Sequence, residues 1–272
     1  MTEPIMPSRP ILYIDRRKHG LRVRDVFFAH QEEGVPRTGA DLIYFMQSSS
    51  LGPGATQFHT SLIDLRQDSE GLFAEMSKGF RYEIRRAAEK DNLKVEVQTS
   101  PTPKVLAEFI VFYNIFAKSK GIATANQEKL SRLRDLGALQ LAWVGAHDGP
   151  WMAVHAYIVD GLRARLYYSA STSAGMEASA QRQLIGRANK LLHWQCLLAF
   201  KCQGLCHYDM GGISLGPALK AIDDFKQQFG GKLITEYNRV EAVSWRGRSA
   251  MALLRLRNRL KHQPPSKVVG PA

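Results

Sequence analysis

The sequence predicts a mixed α/β fold built on a mostly antiparallel sheet flanked by helices, and three observations carry that prediction. Between residues 138 and 170 three β-rich runs, ALQLAWVGA, WMAVHAYIV and LRARLYYSA, are joined by HDGP and DG, turn residues that suit tight connections between antiparallel strands. Upstream, Phe73, Met76, Phe80, Ile84 and Ala87 recur at helical spacing. Downstream, helical and strand patterns alternate to the end of the chain, so the second half reads β-β-β-α-β-α-β-α.

Each element has a local reason. After the apolar pieces ILYI and RVRDVFFA, the runs DLIYFMQ and QFHTSLIDL flank the breaker-rich SSSLGPGAT and read as strands. A helix is expected over about 69–91, with Lys78, Arg81 and Arg85 on one face and Arg86 and Lys90 on another. PTPKVLAEFIVFYNIFAKSKG forms a second amphipathic helix with Val105, Phe109, Phe112 and Phe116 as its buried stripe and Gly121 as its stop. The breakers at 99–103 mark the expected domain boundary. The meander is followed by the small-residue loop STSAGMEASA and a long helix over about 181–203, ended by Gly204. The strand LCHYDM, a helix over 217–229 opened by Pro217 and closed by Gly230, the strand KLITEYNRVEAV and a basic helix over about 247–260 complete the order.

The 272 residues, 44% of them hydrophobic and 23% charged, describe a globular chain with enough length for a sizeable core. No apolar run suits a signal peptide or a membrane span, which points to the cytoplasm. Cys196, Cys202 and Cys206 are odd in number and fit neither a disulfide framework nor a paired zinc motif, so reduced thiols are expected. No Ser-His-Asp order or metal-ligand cluster stands out, which argues against a covalent hydrolase and a metalloenzyme. His155, His193 and Trp194 read as core residues.

Charge is the first functional hint. The net charge of +12 attracts polyanions, phosphorylated ligands or an anionic membrane face. It is concentrated between Arg239 and Lys267, where eight Lys or Arg face Glu241 alone, a net +7. Such a run is also what a solvated face followed by a disordered QPPSKVVGPA tail looks like.

The element order matches that of the GNAT acyltransferase superfamily, in which the helix after the meander receives the donor's pyrophosphate at its N-terminus. Gln183-x-x-Gly186-x-Ala188 resembles the phosphate loop of that superfamily. FRYEIRRAAEKDNLKVEV, together with LLHWQCLLAFKCQGLCHYDMGGI and DDFKQQFGG, resembles the Fem-type peptidyltransferases and the related BioF-like acyltransferase domains. The resemblance spans about 150 residues. It implies a partial, related N-terminal half over 1–100, a GNAT-like acyltransferase domain over 101–260 and a disordered tail over 261–272. Family members that build peptidoglycan bridges usually carry two fuller halves, which puts that substrate in doubt more than the chemistry.

The activity implied is transfer of an acyl or aminoacyl group from acyl-CoA, slightly favoured, or from aminoacyl-tRNA to an amine, without a metal. The alternative is a non-catalytic protein of the same fold that holds RNA or an anionic membrane through the basic helix. By resemblance, Lys226 of the FK pair stabilises the oxyanion and Phe225 contacts the donor. Asp209 accepts or orients the proton of the attacking amine, while Tyr208, Gly211 and Gly212 border the same wall. Arg182, Gln183, Gly186 and Asn189 on the long helix face the donor, and Arg81, Arg85 and Arg86 grip phosphate or carboxylate.

Overall fold

A computed structural model of the chain describes residues 11–29, 32, 34–147, 149–172 and 178–261. In chain order the strands β1 (Leu12–Lys18), β2 (Leu21–Phe27), β3 (Leu42–Ser48) and β4 (Thr56–Asp64) come first. The helices α1 (Ser69–Glu75) and α2 (Lys78–Lys90), the strand β5 (Leu93–Gln98) and the helices α3 (Pro103–Lys120) and α4 (Gln127–Asp135) follow. The meander is β6 (Leu139–Ala146), β7 (Trp151–Val159) and β8 (Arg163–Ser171). Then come α5 (Ser179–Cys202), β9 (His207–Ile213), a 3-10 turn at Pro217–Leu219, α6 (Lys220–Gln227), β10 (Lys232–Ala242) and α7 (Trp245–Lys261). The expected mixed α and β class with a mostly antiparallel sheet is what the chain adopts. The tail from residue 262 and the centre of the STSAGMEASA loop lie outside the described residues.

By contacts the chain divides into two compact units, 57–236 and 1–56 with 237–272. These boundaries differ from the division at residue 100 drawn from the breaker cluster. The physical reason is that β4, α2 and β5 pair and pack with the later elements: β4 pairs with β9, β5 pairs with β6, and α2 packs on α5.

In the smaller unit β1 and β2 form an antiparallel hairpin with Leu12 opposite Phe27, and β2 runs parallel to β3. Residues 237–242 of β10 lie antiparallel to β3, with Ala242 opposite Leu42. Val26, Ala29, Val35, Ala40, Ile43 and Phe45 fill its core.

The larger unit orders its strands β10-β4-β9-β8-β7-β6-β5. Every pair from β5 to β8 is antiparallel, as the HDGP and DG turns predict. Its core packs α2 and α5 against one sheet face through Phe80, Ile84, Ala188, Leu192, Cys196 and Phe200. The opposite face of β8 meets α3, where Tyr113 and Tyr168 have ring centroids 4.5 Å apart.

Two expectations are corrected. The single helix over 69–91 is two helices, because Met76 is extended (ψ 152°) and the Ser77 side chain accepts the Phe80 amide at 3.3 Å to start α2 anew. The buried stripe of α3 is Leu106, Phe109, Tyr113 and Ala117, rotated by about one residue from the Val105 and Phe112 register, so that Tyr113 reaches Tyr168. α4 and its Leu130 and Leu133 anchors were not anticipated; a nine-residue helix with two buried leucines gives too short a period to read.

The core of the larger unit also contains a polar chain. His155 Nε2 donates to Asn189 Oδ1 at 2.9 Å, and His155 Nδ1 pairs with the Tyr157 hydroxyl at 2.8 Å. Tyr157 and Tyr208 share a hydroxyl hydrogen bond of 2.8 Å, and the Tyr208 hydroxyl meets His193 Nδ1 at 2.6 Å. Each group is satisfied by the next, which is what makes a buried polar network tolerable. Burial lowers the His155 pKa to about 3 against the opposing hydrogen bond to Asn189. His193 is held well below its usual value by burial and then by the charges of His155 and Lys226.

The folded state therefore keeps both imidazoles neutral, whereas the unfolded chain protonates them near the ordinary value of about 6.5. Stability is complete above that pH and is lost as pH falls from about 6.5 towards 3, by up to about 1.4 kcal/mol per pH unit for each histidine. Urea midpoints at pH 7.5, 6.0 and 5.0 check this; the midpoint should fall between pH 6.5 and 5, before the carboxylates titrate, and His155→Gln should flatten part of that slope.

Candidate functional site

The site is built where β8 and β9 part. The two strands are parallel neighbours over three residues only, Arg163 to Arg165 against His207 to Asp209. β8 continues to Ser171 and β9 to Ile213. Two bulges sit at this point. Tyr157 faces Leu166 and Ala156 faces Tyr168, which leaves Tyr167 as the extra residue of β8. On β9 the register to β4 shifts between Thr60 and Leu62, and Gly211 takes a φ of +75°.

Gly211 answers for half of the glycine pair. A Cβ there would lie 2.8 Å from the Leu166 carbonyl oxygen, so the residue lets β9 pass against the β8 backbone in a conformation that L side chains rarely adopt. At Gly212 a Cβ would meet the Phe58 ring at 3.2 Å. Both glycines serve close approach of chain to chain, and the wall they leave is faced by Lys226.

Lys226 points inward. Its Nζ donates to the Gly212 carbonyl oxygen at 2.6 Å. Burial lowers its pKa below the usual lysine value, against the pull of Asp223 and Asp209 and with the help of Arg165. Phe225 and the fully buried Phe229 fix the helix: each ring packs on Phe80 and on His193, with centroids 4.9 to 5.7 Å apart. The aromatic pair thus sets the rotation of α6 that turns Lys226 towards β9.

Strand alternation sends Tyr208 to the face packed by α5 and Asp209 to the other. Asp209 is fully buried and its carboxylate is spoken for. It accepts Arg163 Nε at 2.9 Å and Nη2 at 2.5 Å, the Gly211 amide at 2.8 Å and the Thr60 hydroxyl. Arg163 also donates to Glu236 at 2.6 and 2.8 Å. Although burial opposes its charge, the bonds to Glu236 and the charge of Asp209 raise the Arg163 pKa. The expected role of Asp209 as proton acceptor is corrected on this geometry: a carboxylate inside a buried ion pair with four donors is a poor base, and it holds the bulge instead. Tyr208, expected at the donor wall, is fully buried in the polar chain.

A second part of the site is a groove of about 400 Å³ between α2 and α5, lined by Tyr82, Arg86, Ser179, Arg182, Gln183 and Gly186 among others. Arg182, Gln183, Gly186 and Arg86 are brought together there. Arg187, on the same wall, is tied to Asp91 at 2.6 Å, and Lys190 to Glu83. The phosphate-loop reading of Gln183-x-x-Gly186 is corrected. The α5 hydrogen-bond ladder already begins with the Arg182 amide on Ala178 O, so the amides of Gln183 and Gly186 lie inside the helix and are not free for an anion. Gly186 instead leaves open space, with nothing within 4 Å of its Cβ position.

The remaining arginines are elsewhere. Arg81 donates to the Ala74 and Met76 carbonyls at 2.8 and 2.5 Å and closes the end of α1, and Arg85 lies over the Phe73 ring at 5.0 Å. Asn189 is committed to His155. Sequence reasoning missed Arg163, Arg165, Tyr167, Thr60 and Glu236. The available signal was LRARLYY, a strand inside a buried meander with arginines two apart and hence on one face. Among the described residues no cluster of His, Cys, Asp and Glu could hold a metal, and no helix is long and apolar enough to cross a membrane.

No family model and no curated protein matches the sequence. Solved structures do. FemX shares a TM-score of 0.59 at 12% identity over 90% of this chain and 86% of that one. The C-terminal domain of a lysylphosphatidylglycerol synthetase from Agrobacterium fabrum gives 0.51 at 15% identity over 90% and 83%. The L-PGS structure from Bacillus licheniformis gives 0.51 at 14% over 93% and 86%. At these identities the likeness concerns the fold alone, and the chain has the mixed α and β fold of these proteins.

Proposed function

We propose that the protein transfers an acyl or aminoacyl group from an activated donor to an amine, with Lys226 stabilising the oxyanion of the tetrahedral intermediate. The observation that carries this reading is the inward-turned ammonium of Lys226 at the parting of β8 and β9, with one N–H on Gly212 O and partial burial to strengthen the others' effect. Phe225 packs behind it, and Gly211 and Gly212 form the wall. The groove at the start of α5 takes the donor's phosphates on Arg86, Arg182 and Gln183, which favours acyl-CoA. The net charge of +12 and the FK segment keep an aminoacyl-tRNA donor as the competing arm. Mass spectrometry of the purified protein for bound CoA or RNA separates the two, and transfer from neither class of donor would overturn the reading.

Lys226→Ala should lower single-turnover rate about a hundred- to a thousandfold, on the scale of losing one oxyanion-hole donor. Its effect on stability should be small, about 1 kcal/mol for the lost bond to Gly212. Lys226→Arg should restore only part of the rate. Near-normal turnover in folded Lys226→Ala protein would remove this residue from the chemistry.

Asp209→Ala tests the structural assignment. It leaves Arg163 with one buried carboxylate in place of two, so it should destabilise the fold by about 3 kcal/mol or more. A melting curve equal to wild type, with turnover abolished, would return Asp209 to the role of base.

A second reading, binding to an anionic membrane surface, is favoured by α7. Trp245, Leu253 and Leu256 are exposed at 71%, 67% and 55%. At 100° per residue they share one stripe, with Arg246 and Arg257 on one flank and Arg248 and Arg255 on the other. That pattern suits a helix lying in a lipid interface. Vesicles with and without phosphatidylglycerol should separate the protein, bound and unbound, and Trp245 emission should shift to the blue with the former. Equal partitioning into both would discard it.

A further inference from the structure

Arg165 is the arginine of the site that feels Asp209 and Glu236 through their charge but has no hydrogen bond to a described acid. It stands opposite Asp209 in the parallel register, yet Asp209 is engaged by Arg163. Its guanidinium lies over the Phe58 ring at 5.3 Å and over the bulged Tyr167 at 5.5 Å. Its Nε is enclosed with no hydrogen-bond partner, and none of its N–H groups bonds to a described residue. The residue as a whole is partly exposed, while its Nε is enclosed. Enclosing donors without acceptors is costly, and proteins seldom leave the cost uncompensated. Arg163 shows the contrast, since within 3 Å it meets Glu236 in bidentate fashion and gives two donors to Oδ2 of Asp209.

We propose that Arg165 is the recognition group for a carboxylate carried by the substrate, bound in the parting of β8 and β9 beside Lys226. The assignment deepens the transferase reading and rests on it. Two rigid aromatic faces hold the guanidinium plane, which leaves its donor fork to face a planar partner, the geometry a carboxylate matches. Charge decides against a phosphate dianion. Arg163, Arg165 and Lys226 are balanced by Asp209, Glu236 and Asp223, so the cluster tolerates a monoanion with good hydrogen bonds better than a doubly charged group. Arg165 also offsets the second negative charge around Arg163, but that task needs no open donors. The carboxylate belongs either to the acyl chain of the donor or to the amine acceptor, and the chemistry at Arg165 is the same.

Binding measured without turnover distinguishes the sources and keeps this proposal separate from the transferase reading. The donor arm compares succinyl-CoA with butyryl-CoA, and the acceptor arm β-alanine with β-alaninamide, by calorimetry and by the Nε–H signals of protein labelled with ¹⁵N at arginine. In one arm the carboxylate probe should bind about ten- to a hundredfold more tightly than its neutral counterpart, the scale of a charge-assisted hydrogen bond, and should shift the Arg165 signal. Arg165→Met keeps the packing between Phe58 and Tyr167 and should erase that preference without changing affinity for the neutral probe; Arg165→Lys should retain part of it. The preference should persist in Lys226→Ala protein, where transfer is lost. If it persists in a protein that transfers nothing at all, the transferase reading falls and the carboxylate site stands. No preference in either arm of the wild type, or a preference undiminished in Arg165→Met, overturns the proposal; if the methionine variant does not fold, the wild-type Arg165 signal and the lysine variant decide.

Discussion

Placing Arg163 inside the larger unit commits three strands at once. A buried guanidinium is tolerable only when its charge and donors are met, and here Asp209 of the neighbouring β9 and Glu236 of β10, beyond β9 and β4, meet those of Arg163 on β8. The ion triad pins the last parallel pairs of β8 and β9 at Arg165 and Asp209, the point beyond which the strands separate. Asp209 in turn accepts the Gly211 amide and so fixes the bulge that turns Gly212 O towards Lys226. The opening, the bulge and the lysine's anchor all depend on that one interaction.

The parting is also shaped from the α5 side. Phe80, His193, Phe225 and Phe229 form one aromatic cluster, and it sets the rotation of α6. His193 is held by Tyr208, whose hydroxyl continues the polar chain through Tyr157 and His155 to Asn189. An uncharged His193 matters because Lys226 lies within reach of its field: an imidazolium there would lower the lysine's pKa further and weaken its hold on an oxyanion. The buried chain therefore serves stability and the electrostatics of the site together.

Much of this was legible before any coordinates. The meander was readable from its turn residues. The helix break at Ser77 was not, because a single serine among helix formers signals a cap only once its side chain is seen on the Phe80 amide. Nor were the partners of Asp209. A strand pattern shows which face a residue takes but not which residue of a strand 46 positions away stands opposite, and Arg163 and Asp209 are that far apart. Gln183 and Gly186 failed for the converse reason: their spacing fits a loop and a helix equally, and the hydrogen-bond ladder from Arg182 decides for the helix.

The larger unit concentrates cations at the site and treats them differently. Arg163 is neutralised twice over and cannot respond to a ligand. Lys226 is tied by one bond to a carbonyl, which orients it, and feels Asp223 and Asp209 through their charge without a described hydrogen bond to either. Arg165 is clamped between rings and hydrogen-bonded to no described residue. From Arg163 to Lys226 to Arg165 the hydrogen-bond partners become fewer while each side chain keeps its positive charge, and preorganised donors of that kind stabilise negative charge that arrives or develops beside them without requiring the protein to reorganise. The two residues with unspent donors are the ones that border the space between the separated strands, which is why the chemistry is assigned to that space and the architecture to the triad behind it.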